Sequence, residues 1–255
     1  MTEGVKMRSS IFALAIVLAS PALGQSSLGI TGATLHVGGL QDESGNTQVQ
    51  TRGTVDVAVT EAHGFQGDLS FEDTANGTIG RLAAHAYMDP VPGQKYGLFF
   101  AMSDLDGRSM NWIDLGAEGQ LDFGDESQIS GRAGLGRTDE DSLDYIFGGI
   151  ALAHAITEAF EVEATLDVAD FDEADFRATA IDVGLNATYA PEGQPWGVVA
   201  RIVHSDLSGR DGGDAELRLG LGLSMSFGAS GGVSTETRHF RDHDAVAPLV
   251  RRGVR

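Results

Sequence analysis

The residues of this chain whose types and spacing could act together are charged. Arg52, Asp56, Arg81, Asp114, Glu118, Arg132, Glu161, Glu163, Asp182, Arg201, Glu216 and Arg218 each fall on the polar parity of a segment whose alternate positions are apolar or small. Neighbouring side chains of an extended strand point to opposite faces, so this spacing gathers carboxylates and guanidinium groups onto one surface. Fixed charges around a shared space sort ions and polar solutes by field and width, without making or breaking a bond. Seven of the twelve are carboxylates and five are arginines, which predicts a mild preference for cations.

Catalytic chemistry is poorly provided for. His204-Ser205-Asp206 has the residue types of a hydrolytic triad, but consecutive strand residues cannot converge on one site, and the triplet reads as a polar strand end. Asp104-Leu-Asp-Gly and Asp172-Glu-Ala-Asp offer acidic ligands for calcium, yet neither completes a twelve-residue loop closed by a glutamate. They read as solvated loops. His239 and His243 stand four apart, a spacing that would join two metal ligands on a helix, without further ligands beside them. We therefore expect no enzyme, no cofactor and no metal.

The elements that must position the charged set are strands. Val49, Thr51, Gly53, Val55, Val57 and Val59 alternate with Gln48, Gln50, Arg52, Thr54 and Asp56, and the same period of two recurs along the chain. It predicts strands at 27–38, 47–60, 65–72, 78–89, 95–103, 110–123, 127–137, 144–156, 160–171, 176–190, 196–205 and 215–227. The intervening segments alternate between compact turns such as EAHG and PEGQP and mostly acidic loops such as GLQDESGN and DLSGRDGGD. A membrane barrel requires that alternation, with periplasmic turns at one rim and external loops at the other. Aromatic residues fall near strand ends, Phe65, Phe123, Phe160, Tyr189, Trp196 and Phe227 on the turn side and Phe71, Tyr145, Phe171 and Phe176 on the loop side, which predicts two interfacial belts. Strand 144–156 breaks the pattern: it places Ile146, Ile150 and Leu152 on the expected interior face, which implies a shifted register or an apolar plug against that wall.

Residues 1–24 read as a cleaved signal peptide, with Lys6 and Arg8 before an apolar run from Ile11 to Ala22 and small residues Ala22 and Gly24 before Gln25. That run is too short for a helical span, and no second long apolar stretch follows. The chain has no cysteine, so disulfides do not staple the fold, and its net charge of −20 speaks against a nucleic-acid partner.

The final segment, ELRLGLGLSMSF, sets Leu217, Leu219, Leu221, Leu223, Met225 and Phe227 against Glu216, Arg218, Gly220, Gly222, Ser224 and Ser226. It looks like the closing strand of outer-membrane porins, and the span from Leu28 to Phe227 resembles the small porin-like outer-membrane β-barrel proteins of Gram-negative bacteria. The resemblance implies an all-β, antiparallel up-and-down transmembrane β-barrel over residues 25–227, of about 12 strands with 8–14 allowed. It further implies a place in the outer membrane, contact with its lipid and with the barrel-assembly machinery, and passive diffusion of small hydrophilic solutes or cations. The alternative is a structural or interaction barrel without an open pore, and a soluble periplasmic β protein is a third reading. The oligomeric state is unknown from the sequence.

The chain departs from the porin pattern after Phe227, where residues 228–255 continue with five arginines against Glu236, Asp242 and Asp244. The expectation is a disordered or periplasmic tail; a second reading folds it back to plug the acidic pore mouth, or has it bind a periplasmic partner. Interior glycines Gly116, Gly184, Gly220 and Gly222 either leave room for a channel or permit curvature and close strand approach.

Overall fold

The computed structural model describes residues 29–139, 143–228 and 238–254; the expected signal peptide lies outside them. Twelve strands follow in order: β1 Ile30–Asp42, β2 Thr47–Ala58, β3 His63–Thr74, β4 Gly77–Val91, β5 Gln94–Leu105, β6 Met110–Asp122, β7 Ser127–Thr138, β8 Asp144–Thr157, β9 Phe160–Asp172, β10 Arg177–Tyr189, β11 Trp196–Ser208 and β12 Gly213–Phe227. Each pairs antiparallel with its sequence neighbours, and β1 closes on β12 in a register running from Ala33 opposite Phe227 to Asp42 opposite Arg218. Closure leaves no edge strand, so every central backbone amide finds its partner within the ladder.

The expected strands are present, with ends displaced by a few residues; β1 starts later than its pattern predicted and runs on to Asp42. Connections at the two rims alternate as expected, but both sets are short, from two residues at 92–93 to six at 190–195. Acidity rather than length distinguishes the loop rim.

Parity decides which surface each side chain meets. Leu221, Leu98 and Ile146 stand 65–70% exposed on the outside, in a band of large apolar residues contributed by every strand. A soluble protein rarely exposes so continuous an apolar surface, whereas a bilayer is its natural solvent. The turn-side aromatic residues Phe65, Phe123, Tyr189, Trp196 and Phe227 project outward, as a belt requires. The expected loop-side belt is largely absent: Phe71 faces outward, but Tyr145, Phe171 and Phe176 are buried inside the barrel.

Strand β8 explains part of that difference. Ile146, Ile150 and Leu152 are exposed on the outer face, and Tyr145, Phe147, Ala151 and Ala153 point inward. Its parity is therefore the reverse of the sequence expectation, because its inner wall is aromatic rather than charged. Glycines on neighbouring strands make room for inward rings of β5 and β8. A Cβ at Gly116 would meet the Phe99 ring, and one at Gly134 would lie 2.7 Å from Phe147 Cζ. The interior glycines at these places hold rings instead of widening the lumen.

The tail, expected as disordered or periplasmic, is inside the barrel over residues 238–254, which include one short helix, α1 Ala247–Arg251. Val246, Leu249 and Val250 are fully buried there. The physical reason is complementarity: arginines meet an acidic lumen, and apolar residues meet the aromatic inner wall of β8 and its neighbours. Residues 229–237 lie outside the described residues.

Leu221 lies near the middle of β12 and faces outward. Leu221→Arg should destabilise the barrel by about 2–4 kcal/mol in a bilayer, measured as a shift in the denaturant midpoint in lipid vesicles, while Leu221→Phe should be close to neutral.

Candidate functional site

The site is the lumen, and it is built from inward side chains of the strands. All twelve charged residues singled out from the sequence face it. Asp56, Arg81, Asp114, Glu118, Arg132, Glu161, Asp182 and Arg218 are buried; Arg52, Glu163, Arg201 and Glu216 make their contacts on the same inner surface. A polar side chain withdrawn from water needs a partner, so the wall is organised as networks rather than as free charges.

Three networks stand out. On β4–β6, Arg81 Nη1 lies 2.7 Å from Asp114 Oδ2 and donates to Ser103 Oγ, while the Tyr145 hydroxyl from β8 donates to Asp114 Oδ1. Nearer the turn rim, His85 sits between Glu118 at 2.6 Å and Asp68 at 3.1 Å, and the Thr54 hydroxyl donates to Asp68. Across the closure, Arg201 Nε donates to Asn186 Oδ1 at 2.9 Å, Asn186 donates to Glu163, and Arg218 donates to Gln48 Oε1.

The tail threads these networks from the turn rim toward the loop rim. Arg238 pairs with Glu161 and lies 3.3 Å from Glu163, and His239 pairs with Asp56. Further along, Arg241 meets Asp167 at 2.6 Å, Asp242 meets Arg81 at 2.8 Å, and Asp244 accepts from the Trp112 indole at 3.0 Å. At the loop end Arg251 reaches Glu72 and Asp182, Arg252 donates to the Ser205 carbonyl, and Asn76 donates to the carbonyls of Val250 and Arg251. Residues 238–246 are not helical, so His239 and His243 do not take the helical spacing that would pair them as metal ligands.

Two kinds of contact hold the tail, and their magnitudes differ. The apolar cap packs Val246, Leu249 and Val250 among Ile79, Leu105, Met110, Trp112, Phe171 and Leu207, at about 1.5–3 kcal/mol for each fully buried Val or Leu. The ion pairs of the tail are largely buried, with side-chain exposures of 3% and 2% for Arg81–Asp242 and 5% and 11% for Arg251–Asp182, so their attraction is largely offset by desolvation. The cap supplies most of the affinity, and the charges set register and direction.

Phe240 adds an anchor midway. It is buried, stacked on His85 at 5.9 Å between centroids with planes 8° apart, edge-on to Tyr87, and 4.6 Å from Lys95 Nζ.

Between the tail and the wall formed by β1–β4 and β9–β12 a polar cavity of about 300 Å³ remains, lined by Arg52, Glu72, Glu163, Arg201 and Arg241 among others. Asp114 and Glu118 are turned away from it, each held by a cationic or imidazole partner. His85, Gln66, Lys95 and Trp112 are not among the site residues the sequence singles out; their only signal is inward parity within a strand.

Fold and lumen together define a transmembrane-type β-barrel of twelve strands with a polar, occupied interior. Among solved structures the fold is similar to an outer-membrane channel from Pseudomonas putida F1, at a TM-score of 0.57 and 11% identity over 81% of this chain and all of that one. It is also similar to the NanC porin, at 0.56 and 10% over 75% of this chain and 98% of the other, and to the KdgM porin, at 0.54 and 10% over 76% and 99%. The chain thus has the fold of small porin-like outer-membrane barrels. No protein-family model and no curated protein matches the sequence.

Arg81 is the hub of the buried network, since it faces Asp114, Asp242 and Asp244. Arg81→Met should cost about 3–5 kcal/mol by leaving buried carboxylates unpaired, and adding Asp114→Asn and Asp242→Asn should recover part of it. Unfolding midpoints of the refolded variants in detergent micelles measure both.

Proposed function

We propose that this protein is a porin-like barrel of the outer membrane that passes small hydrophilic solutes by diffusion, with a mild preference for cations. The observation that carries this reading is the division of surfaces: a closed ladder with an apolar exterior encloses a charged interior that keeps a polar cavity of about 300 Å³ beside the tail. Carboxylates on the inner wall outnumber its arginines, and such a field concentrates cations. The shared fold of channel proteins supports the same reading. Passage is physical rather than chemical; no enzymatic step belongs to it.

A second reading, a structural or interaction barrel without an open pore, is favoured by one observation: the tail runs through the lumen and leaves a side cavity in place of a central channel. Conductance separates the two. The refolded full-length protein in a planar bilayer should show small, stable steps and a cation-side reversal potential in a salt gradient, and absence of current at every voltage would favour the closed barrel. Because Glu163 lines the cavity whereas Asp114 and Glu118 do not, Glu163→Gln should move the reversal potential toward zero more than Asp114→Asn does. Cell fractionation tests the location: the protein should appear with the outer membrane, show heat-modifiable gel migration and be missing from the osmotic-shock fraction.

A further inference from the structure

The inner wall does more than surround the tail; it reads the tail's backbone. Six successive carbonyls each accept from a different wall side chain: Arg238 from Lys95, His239 from Gln120, Phe240 from Gln66, Arg241 from Arg132, Asp242 from Arg52 and His243 from Arg81. Gln66 completes a two-point contact by accepting from the Phe240 amide at 2.7 Å. Inward glutamines and arginines thus replace the neighbouring strand that an extended peptide would otherwise need. Contacts of the tail reach β2 through β12, from Arg52 on β2 to the Asp214 carbonyl on β12.

The barrel does not need this peptide to close. The β1–β12 ladder is complete without it, and every contact made by the tail is to inward side chains, strand carbonyls or the loop rim rather than to a free strand edge. The tail is therefore a ligand of the lumen that is carried on the same chain. Its described part brings four arginines, Arg238, Arg241, Arg251 and Arg252, against two aspartates into an interior rich in carboxylates. Its apolar end meets an inner wall rich in aromatic residues, Trp112, Tyr145 and Phe171 among them.

We propose that residues 238–254 form a tethered plug, bound in a peptide-binding lumen by backbone recognition and an apolar cap, and that withdrawal of this plug opens the barrel to solutes. The proposal rests on the porin reading above and names the regulation of that pore. Two features make the plug displaceable. It joins no strand ladder, so its release breaks no backbone pairing of the barrel, and its cap depends on a few side chains of a five-residue helix. A tethered occupant is favoured by high effective concentration, and it reseats after each release.

The test compares single-channel conductance of the full chain with that of a chain ending at Gly228, both refolded and checked for heat-modifiable migration. The truncated barrel should conduct several-fold more than the full chain, and a synthetic peptide of residues 238–255 added from the turn side should reduce that current. Full-chain Leu249→Asp with Val250→Asp, which puts carboxylates into the apolar cap, should raise conductance with the tail still attached. A cysteine pair, Asn76→Cys with Gly253→Cys, should lower conductance when oxidised and release it on reduction, because a Cβ at Gly253 would lie 3.3 Å from Asn76 Cγ. Equal conductance of the full, truncated and cap-disrupted chains would overturn the plug and leave the porin reading intact. A truncated barrel that folds yet stays silent would overturn both.

Discussion

A chain that crosses a bilayer as sheet has nowhere outside to put an unpaired backbone amide or a charge. The rest of this structure follows from that constraint. The sheet must close, so twelve antiparallel strands end on the pairing of β1 with β12. Away from the rims, where outward pairs such as Arg137–Asp144 and Arg177–Asp172 lie, every strand must also present its charged side chains inward, which concentrates carboxylates and arginines in a narrow space. The interior then faces a second problem, since these groups have left most of their water and must satisfy one another.

The lumen answers with three devices. Opposite charges are paired across strands, as in Arg81 with Asp114 and His85 with Asp68 and Glu118. Glycines accept aromatic rings from the adjacent strand, which fills space without adding polarity, as Gly116 does for Phe99. Much of the remaining volume is taken by a segment of the same chain, which supplies guanidinium groups to wall carboxylates and backbone carbonyls to wall donors. Each arginine the tail contributes offsets part of the negative field of the wall carboxylates, as Arg241 does at Asp167 and Arg251 at Glu72 and Asp182.

Much of this was legible along the chain. Strict alternation in segments such as 47–60 and 215–227 carries both the strand assignment and the identity of the outward face, and all twelve charged candidates lie on the inner surface. Legibility failed where the inner face is itself apolar. On β8 both faces carry hydrophobic residues, so Ile146, Ile150 and Leu152 were placed inside although Tyr145 and Phe147 occupy that position. Phe171 and Phe176 misled for the same reason: an aromatic residue at a strand end suits an interfacial belt and an interior cluster equally well.

Sequence alone determined a strand count near twelve, the antiparallel order and the side of the sheet on which charge must lie within the membrane, because a period of two and the exclusion of charge from lipid are local rules; the exact count within 8–14 was settled by closure of the sheet. It did not determine what fills the barrel. The tail's arginines and its few apolar residues have no periodic pattern, and their partners lie about 40 to 190 positions away, joined only when the sheet closes. Tertiary structure therefore decided that residues 238–254 run through the lumen, that Tyr145, Phe171 and Phe176 turn inward against α1, and that the open space lies to one side of the tail.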